Sequence, residues 1–256
     1  MLEPKDAALG SGVEVRVAPD RELLGARAAA HAVRVISRAV ESRGTARIVL
    51  ASAPSQDELL AGLAGAGLPW DRIQAMHMDE YVGIEPAHPA AFQQYLRTRL
   101  PPALRLEGID SLADDPEAEV VRYAGVVGDS PIDLCLMGIG ENGHIAFNEP
   151  HDTRLDDPRL VRLTELDEVS RTQQVNDGCF AQLDEVPRSA ITLTVGALLS
   201  ADTVIASVPG PRKATAVARA LQGPVEWACP ASALRTHANA TLYLDPESAA
   251  EVSVDG

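Results

Sequence analysis

A short glycine-rich segment of the sequence holds the side chains best suited to acid–base chemistry. Residues 138–150 read GIGENGHIAFNEP and place three polar side chains in one turn: Asn142, His144 and Glu149. An imidazole flanked by a carboxylate can be held in one tautomer and can relay protons near neutral pH. Gly140 and Gly143 permit a tight turn with positive φ and leave backbone N–H groups free to bind a substrate. The spacing fits a plain glycine turn with a surface histidine equally well, because a G-x-G pair is a weak signal.

Two adjacent carboxylates follow a second apolar segment. The string MDEYVG starts at Met78, so Asp79 and Glu80 stand where a predicted strand ends. Successive residues of an extended chain point to opposite sides, and only one of these carboxylates can therefore face a pocket. The pattern leaves open whether Asp79 does acid–base chemistry or is an ordinary turn or N-cap aspartate.

Two further segments carry groups that can hold an anion. Residues 207–214 read SVPGPRKA, in which a strand ends, a proline suits the first helical turn and Lys213 follows. A helix N-terminus beside a lysine forms an anion site, although Lys213 can equally be an ordinary solvated residue. Residues 51–56 read ASAPSQ, and here Ser52 and Ser55 can donate hydroxyl groups beside the N–H groups of the next helix.

These segments lie in a chain of alternating predicted strands and helices. The strand candidates are the apolar or alternating runs 13–18, 47–52, 73–78, 132–137, 190–194, 203–208 and 240–244. The helix candidates are 20–42 with Asp20 as N-cap, 55–63, 90–100, 116–127, 212–221 and 232–236. The polar stretch 149–170 is predicted to be a long loop. Such alternation predicts βαβ units, and hence an α/β fold with a mainly parallel sheet.

The domain organisation follows from the same pattern. We expect residues 1–12 to form a flexible tail and residues 13–256 a single domain, from which residues 150–185 extend as a small lid. Parallel α/β sheets bind ligands at the carboxyl ends of their strands. The four polar segments all follow predicted strands, so the sequence predicts that they meet at one edge of the sheet.

Composition narrows the classes of partner and of site. The net charge of −15 and the pI of about 4.7 argue against nucleic acid and anionic membranes as partners, but not against a small anionic substrate. Three widely spaced cysteines without a C-x-x-C pattern predict neither a disulfide framework nor a zinc site. The sequence has no hydrophobic leader and no run of 18 apolar residues, so we expect a cytoplasmic protein.

The glycine-rich segment resembles the signature of the glucosamine-6-phosphate deaminases, roughly G-[IV]-G-x-[DN]-G-H-I-[AG]-F-N-E-P, over thirteen consecutive residues. The string MDEYVG recurs in that family. The resemblance implies a three-layer, Rossmann-like α/β fold with helices on both faces of the sheet. It also implies conversion of glucosamine 6-phosphate and water to fructose 6-phosphate and ammonia, by acid–base steps that need no metal and no cofactor.

The resemblance also implies roles for individual residues. In the family the histidine opens the sugar ring, aided by the residue two before it and by the glutamate of N-E-P. Those three roles correspond to His144, Asn142 and Glu149. The aspartate of MDEYVG moves the C2 proton to C1, which implies that role for Asp79. A lysine at the position of Lys213 contacts the substrate phosphate.

The chain departs from the family pattern at three points. Many members have Asp where this chain has Asn142, which weakens an aspartate–histidine pairing but keeps the histidine. The usual phosphate loop T-G-[GS]-T-P is replaced by ASAPSQ, so the phosphate cradle must differ in shape, with Ser52 and Ser55 as remaining donors. The family's second phosphate-contacting arginine has no clear counterpart, although Arg171 lies nearby in sequence.

Two other interpretations remain open. The alternative enzyme is another sugar-phosphate isomerase or a 6-phosphogluconolactonase on the same fold, although lactonases usually continue the glycine turn with T-A-S. The alternative outside catalysis is a sugar-phosphate sensor, against which the retention of Asp79 and His144 argues. The expected partner is a small-molecule sugar phosphate, with no nucleic acid and no membrane, and the sequence leaves homo-oligomerisation open.

Overall fold

A seven-stranded parallel sheet forms the centre of the molecule in the computed structural model, which describes residues 13–253. The strands are β1 (Val13–Val17), β2 (Ala46–Leu50), β3 (Ile73–His77), β4 (Asp79–Tyr81), β5 (Arg105–Glu107), β6 (Leu134–Met137), β7 (Val161–Glu165), β8 (Ser189–Leu193), β9 (Thr203–Val208) and β10 (Ala240–Leu244). The parallel sheet has the order β1-β10-β9-β6-β2-β3-β5. This arrangement confirms the predicted mainly parallel α/β fold. The predicted tail, residues 1–12, lies outside the described residues.

Helices cover both faces of this sheet. They are α1 (Arg21–Arg43), α2 (Asp57–Ala64), α3 (Phe92–Arg99), α4 (Pro116–Gly128), α5 (Glu168–Asn176), α6 (Val195–Leu198) and α7 (Ala214–Gln222). Successive residues of β2 enter two different hydrophobic clusters. Val49 shares one cluster with residues of α4 and α7, and Ile48 and Leu50 share the other with residues of α1 and α2. The three-layer arrangement implied by the family resemblance is thereby confirmed.

The long helix α1 begins and ends as the sequence predicts. Asp20 is its N-cap, with the side-chain oxygen accepting from the backbone N–H of Leu23 at 2.7 Å. Gly44 ends the helix in the left-handed region with φ of 84°, where its N–H bonds to the carbonyl of Val40. The buried stripe of α1 consists mainly of small side chains, which lets α1 lie close against the sheet and α2.

A second, antiparallel sheet of order β4-β8-β7 corrects the prediction for residues 149–170. We expected a long loop there, but Val161–Glu165 forms strand β7 and the segment runs on into α5. The hydrophobic pattern does not reveal this strand, because two of its inward side chains, Arg162 and Thr164, are polar. Both are buried, and both donate a hydrogen bond to the carboxylate of Asp152.

Short elements account for the remaining differences. β4 and β5 have three residues each, too few for alternation to stand out in the sequence. The segment predicted as a helix from residue 212 begins with a 3₁₀ turn, Pro211–Lys213, and becomes α7 at Ala214. The segment predicted as helix 232–236 is a 3₁₀ helix, Pro230–Thr236. Within residues 13–253 no helix is both long and apolar enough to cross a bilayer.

Candidate active site

A cavity of about 400 Å³ opens where β2, β3, β6 and β9 end. The predicted residues that line it are Ser52, Ser55, Asp79, Gly140, His144 and Lys213. Three other predicted residues, Asn142, Gly143 and Glu149, lie outside the lining. The carboxyl edge of the parallel sheet therefore brings the four polar segments of the sequence to one cavity, as its topology requires.

The glycine-rich turn shapes the floor of the cavity. The N–H of Gly140 donates to the carbonyl of His144 at 2.9 Å, and the N–H of Gly143 donates to the carbonyl of Gly140 at 3.0 Å. These two N–H groups are therefore used within the turn, which corrects the expectation that they are free for a substrate. A Cβ atom on Gly140 would lie 2.2 Å from Nε2 of His144, so a glycine is needed for the imidazole to lie flat on the turn. Gly143 has φ of 92°, a conformation that favours glycine.

Asn142 holds the imidazole from behind. Its side-chain oxygen accepts from the backbone N–H of His144 at 3.0 Å and lies 2.8 Å from the ring Nδ1. An amide oxygen can only accept, so Nδ1 is the protonated ring nitrogen in this arrangement. The other ring nitrogen, Nε2, is left to the cavity that His144 lines, where it can accept a proton.

Glu149 is a fully buried carboxylate behind the imidazole. Its Oε2 accepts from the side-chain nitrogen of Asn142 at 3.0 Å and lies 3.6 Å from Nδ1 of His144. Burial on its own would raise the pKa of Glu149. The charge interaction with His144 and the hydrogen bonds from His144, Ser170 and Asn142 outweigh burial and lower the pKa to about 2. Glu149 is therefore ionised at neutral pH and stabilises positive charge on the imidazole.

Asp79 is the buried carboxyl group that faces the cavity. It begins β4 directly after β3 ends, and only 6% of its surface is exposed. Burial raises the pKa of Asp79 well above its ordinary value, and the negative charges of Glu80 and Glu149 raise it further, against an opposing hydrogen bond from the N–H of Phe147. A carboxylate with a raised pKa is a stronger base, which suits a group that must take up and return a proton.

Glu80, the neighbouring carboxyl, does not line the cavity. It caps the start of α3, accepting from the backbone N–H groups of Phe92 at 3.1 Å and Gln93 at 2.9 Å, and it also accepts from the N–H of Tyr81. Burial raises the pKa of Glu80 to about 7, although these N–H groups work in the opposite direction. The two adjacent carboxyls of MDEYVG thus serve different sides of β4.

The far end of the cavity carries positive charge. Lys213 lines it, and the ammonium group of Lys213 has no hydrogen-bond or ion-pair partner among residues 13–253. Burial lowers the pKa of Lys213 and so does Arg212, while Asp177 and Glu141 raise it. The hydroxyl-bearing residues Ser52 and Ser55 line the same cavity, as the ASAPSQ segment follows β2. This end can hold an anion by one ammonium group and two hydroxyls.

Two arginines in the lining were not identified from the sequence. Arg212 is held by the carboxylates of Asp177, at 2.6 Å, and Glu141, at 3.3 Å. Arg21 comes from the first turn of α1, where it pairs with Glu58 at 2.7 Å. The sequence could have indicated Arg212, because it stands directly beside Lys213. Arg21 lies far from every motif, and only the fold brings it to the cavity.

Arg171, which lies nearby in sequence to the family's second phosphate-contacting arginine, does not reach the cavity. It is buried, and its guanidinium donates to the backbone carbonyls of Leu183 and Val186. Arg171 does not line the cavity, and it instead ties α5 to the segment that leads into β8. In residues 13–253 there is no group of three or more His, Cys, Asp or Glu side chains placed to hold a metal ion.

Comparisons with known proteins agree on one family. A sequence model of the glucosamine-6-phosphate isomerases/6-phosphogluconolactonase family matches residues 19–243. The glucosamine-6-phosphate deaminase of Bacillus cytotoxicus is 32% identical over 218 residues, which cover 84% of this chain and 81% of that protein.

Solved structures show the same relationship. A monomeric glucosamine-6-phosphate deaminase superposes with a TM-score of 0.84 at 28% identity, covering 93% of this chain and 99% of that one. The 6-phosphogluconolactonase of Trypanosoma brucei superposes with a TM-score of 0.75 at 19% identity, covering 98% of this chain and 100% of that one. At that lower identity the likeness extends to the fold alone.

Proposed function

This chain belongs to the glucosamine-6-phosphate isomerase/6-phosphogluconolactonase family, and we propose that it converts glucosamine 6-phosphate and water to fructose 6-phosphate and ammonia. The observation that carries the proposal is the joint placement of Asp79, His144 and Lys213 on one cavity. A proton-transfer carboxylate, an imidazole and an isolated ammonium are the three groups that the reaction needs. The 32% identity to a named deaminase supports the same assignment.

His144 opens the pyranose ring in this mechanism. Its Nε2 accepts the proton of the C1 hydroxyl while the ring C1–O5 bond breaks, and the imidazolium so formed then passes that proton to the ring oxygen. The positive imidazolium formed in this step lies 3.6 Å from the ionised Glu149, which lowers the energy of the charged intermediate. Asn142 keeps the imidazole ring of His144 in one orientation throughout this step.

Asp79 carries out the carbon chemistry. In the open-chain sugar its carboxylate takes the proton from C2, the C1 carbonyl oxygen gains a proton from the 2-ammonium group, and an enolamine forms between C1 and C2. The carboxyl group then returns the proton to C1, which gives the 2-imino form of the ketose. Water adds to C2, and ammonia leaves to give fructose 6-phosphate. Each of these steps is a proton transfer or an addition that general acid–base groups suffice to catalyse.

The positive end of the cavity receives the phosphate. Lys213 supplies an ammonium group without a competing partner, and Ser52 and Ser55 supply hydroxyl donors. Arg212 and Arg21 can add bidentate donors, since a guanidinium matches a phosphate in shape. These donors replace the glycine loop that the sequence lacks.

A panel of sugar phosphates tests the proposal. Ammonia release is measured with glucosamine 6-phosphate and galactosamine 6-phosphate, ketose formation with glucose 6-phosphate, and acid release with 6-phosphogluconolactone. We expect ammonia from glucosamine 6-phosphate at a kcat above about 1 s⁻¹, an ordinary value for an enzyme. Lactone hydrolysis without ammonia release would instead identify a lactonase. Binding without turnover of any member of the panel would identify a sensor.

A further inference from the structure

Asp167 lies behind the candidate active site and belongs to none of the motifs found in the sequence. It precedes α5 as the N-cap, with Oδ1 accepting from the backbone N–H of Ser170 at 2.7 Å. Its other oxygen, Oδ2, accepts from the side-chain nitrogen of Asn142 at 3.3 Å. Asp167 does not line the cavity, so it can influence the reacting atoms only through the residues that it contacts.

The bonds around Asn142 use the full capacity of its amide group. The amide nitrogen has two hydrogens, and these go to Glu149 at 3.0 Å and Asp167 at 3.3 Å. The amide oxygen has two lone pairs, and these accept from the backbone N–H and from ring Nδ1 of His144. Both partners of the nitrogen are carboxylates, which can only accept when ionised.

This arrangement permits one orientation of the amide. Rotating it by half a turn would place its oxygen against two carboxylates and its nitrogen against a backbone N–H. Such a rotation would break the hydrogen bonds to Glu149 and Asp167. It would also place an acceptor against acceptors and a donor against a donor. Because the oxygen is held toward His144, ring Nδ1 must donate and therefore carries the proton.

Ser170 links the same aspartate to the imidazole by a second route. Its hydroxyl lies 3.0 Å from Nδ1 of His144, and its backbone N–H is the group that Asp167 caps. The first turn of α5 is thus set by the residue that also orients Asn142. Ser170 from this turn and Asn142 from the glycine-rich turn therefore both contact Nδ1. Within residues 13–253 no hydrogen bond reaches Nε2.

We propose that Asp167 is a positioning residue, which fixes the amide of Asn142 and thereby holds His144 in the tautomer protonated at Nδ1, with Nε2 free to accept a proton from the substrate. The effect on turnover rests on the proposed function. The tautomer itself is a property of the resting protein and can be measured without substrate.

The test is ¹⁵N NMR of the histidine side chains combined with kinetics. The His144 signals are assigned by their loss in His144→Gln, and the spectra are recorded at a pH where the ring is neutral. We expect the wild-type protein to be protonated at Nδ1. Asp167→Asn places a donor against the amide nitrogen of Asn142, so His144 should shift to a mixture of tautomers, and kcat should fall with KM nearly unchanged. The expected fall is roughly 10-fold to 100-fold, the range for outer hydrogen-bond partners of histidines that bind metals.

Two further variants separate positioning from helix capping. Asp167→Ser keeps an N-cap for α5 but removes the acceptor for Asn142, so it should reproduce the tautomer change. Asp115→Asn makes the same chemical change at the N-cap of α4 and should leave the His144 signals unaltered. A wild-type ring protonated at Nε2 would overturn the proposal, and so would wild-type His144 signals in both Asp167 variants. If the wild type releases no ammonia, the proposed function fails while the tautomer measurement still decides this inference.

Discussion

The side-chain nitrogen of Asn142 donates a hydrogen bond to the carboxylate of Glu149 across 3.0 Å. An aspartate at position 142 would place a third carboxylate between Glu149 and Asp167. We predict that Asn142→Asp lowers the melting temperature, because three adjacent carboxyls cannot all ionise without repulsion. The carboxyl that keeps a proton has a raised pKa in the folded protein. Stability is therefore lost as the pH rises through that pKa, and the loss should be larger at pH 8 than at pH 5.

A double variant provides the control for this prediction. Asn142→Asp combined with Asp167→Asn restores one amide donor among the three side chains and should recover most of the lost stability. Each 1 kcal/mol corresponds to roughly 2–4 °C in a protein of this size, so thermal unfolding at the two pH values can resolve the difference. An Asn142→Asp protein as stable as the wild type at pH 8 would show that the carboxylates do not interact as described.

His144→Gln should keep the fold and lose most of the turnover of the closed-ring substrate. Glutamine keeps a polar group against Asn142 but cannot take up a proton, and general acid–base groups contribute typically about 10²–10⁴-fold. The measurement is kcat for ammonia release, with thermal unfolding to verify the fold. His237→Gln is a suitable control, because His237 lies outside the cavity and bonds to the carbonyl of Ala201. Near-native turnover by His144→Gln would remove the ring-opening role.

Lys213→Ala should raise KM much more than it lowers kcat. A phosphate contact is made equally in the ground state and the transition state, so its loss removes uniform binding. Steady-state kinetics with glucosamine 6-phosphate measure the split between the two constants. A large fall in kcat at unchanged KM would contradict a role confined to the phosphate.

Chemical modification offers a second test of the same residue. Lys213 and Lys5 are the only lysines of the chain, so mass spectrometry can follow an amine-directed reagent at each of them. We predict that inorganic phosphate slows modification of Lys213 and leaves that of Lys5 unchanged. Equal rates at Lys213 with and without phosphate, at concentrations that inhibit turnover, would place the phosphate elsewhere.

Asp79→Asn should be more stable than the wild type at alkaline pH. Burial and the charges of Glu80 and Glu149 raise the pKa of Asp79 in the folded protein above its value in the unfolded chain. The wild type therefore loses stability as the pH rises through the raised pKa, whereas asparagine has no proton to lose. The difference in melting temperature between variant and wild type should grow from pH 5 to pH 8. A difference that does not change with pH would contradict the raised pKa.

The sequence predicts the fold well where hydrophobic runs dominate. The buried strands β2, β6 and β9 are short apolar runs, and the parallel arrangement follows from the helices between them. The prediction fails at β7, because the polar residues Arg162 and Thr164 are buried there and both donate to Asp152. That compensation depends on a contact ten to twelve residues away, which periodicity within a strand cannot report.

Some residues of the candidate site can likewise be predicted from the sequence, and others cannot. His144 and Asp79 stand in motifs that follow strands, so topology alone places them at one edge of the sheet. Arg21 and Asp167 belong to no motif and reach the site only through packing. The sequence also predicts the glycine turn, but it does not reveal that the N–H groups of Gly140 and Gly143 donate to carbonyls within that turn.

Ammonia release by Asp79→Asn tests most directly whether Asp79 moves a proton between C2 and C1 of glucosamine 6-phosphate. Asparagine keeps the shape of the side chain and cannot accept the proton. We predict that the variant still binds the substrate, shown by calorimetry, and releases ammonia at least about 10²-fold more slowly than the wild type. Glu80→Gln, which changes the neighbouring carboxyl outside the cavity, should keep most of the turnover. Ammonia release by Asp79→Asn at the wild-type rate would contradict this role of Asp79.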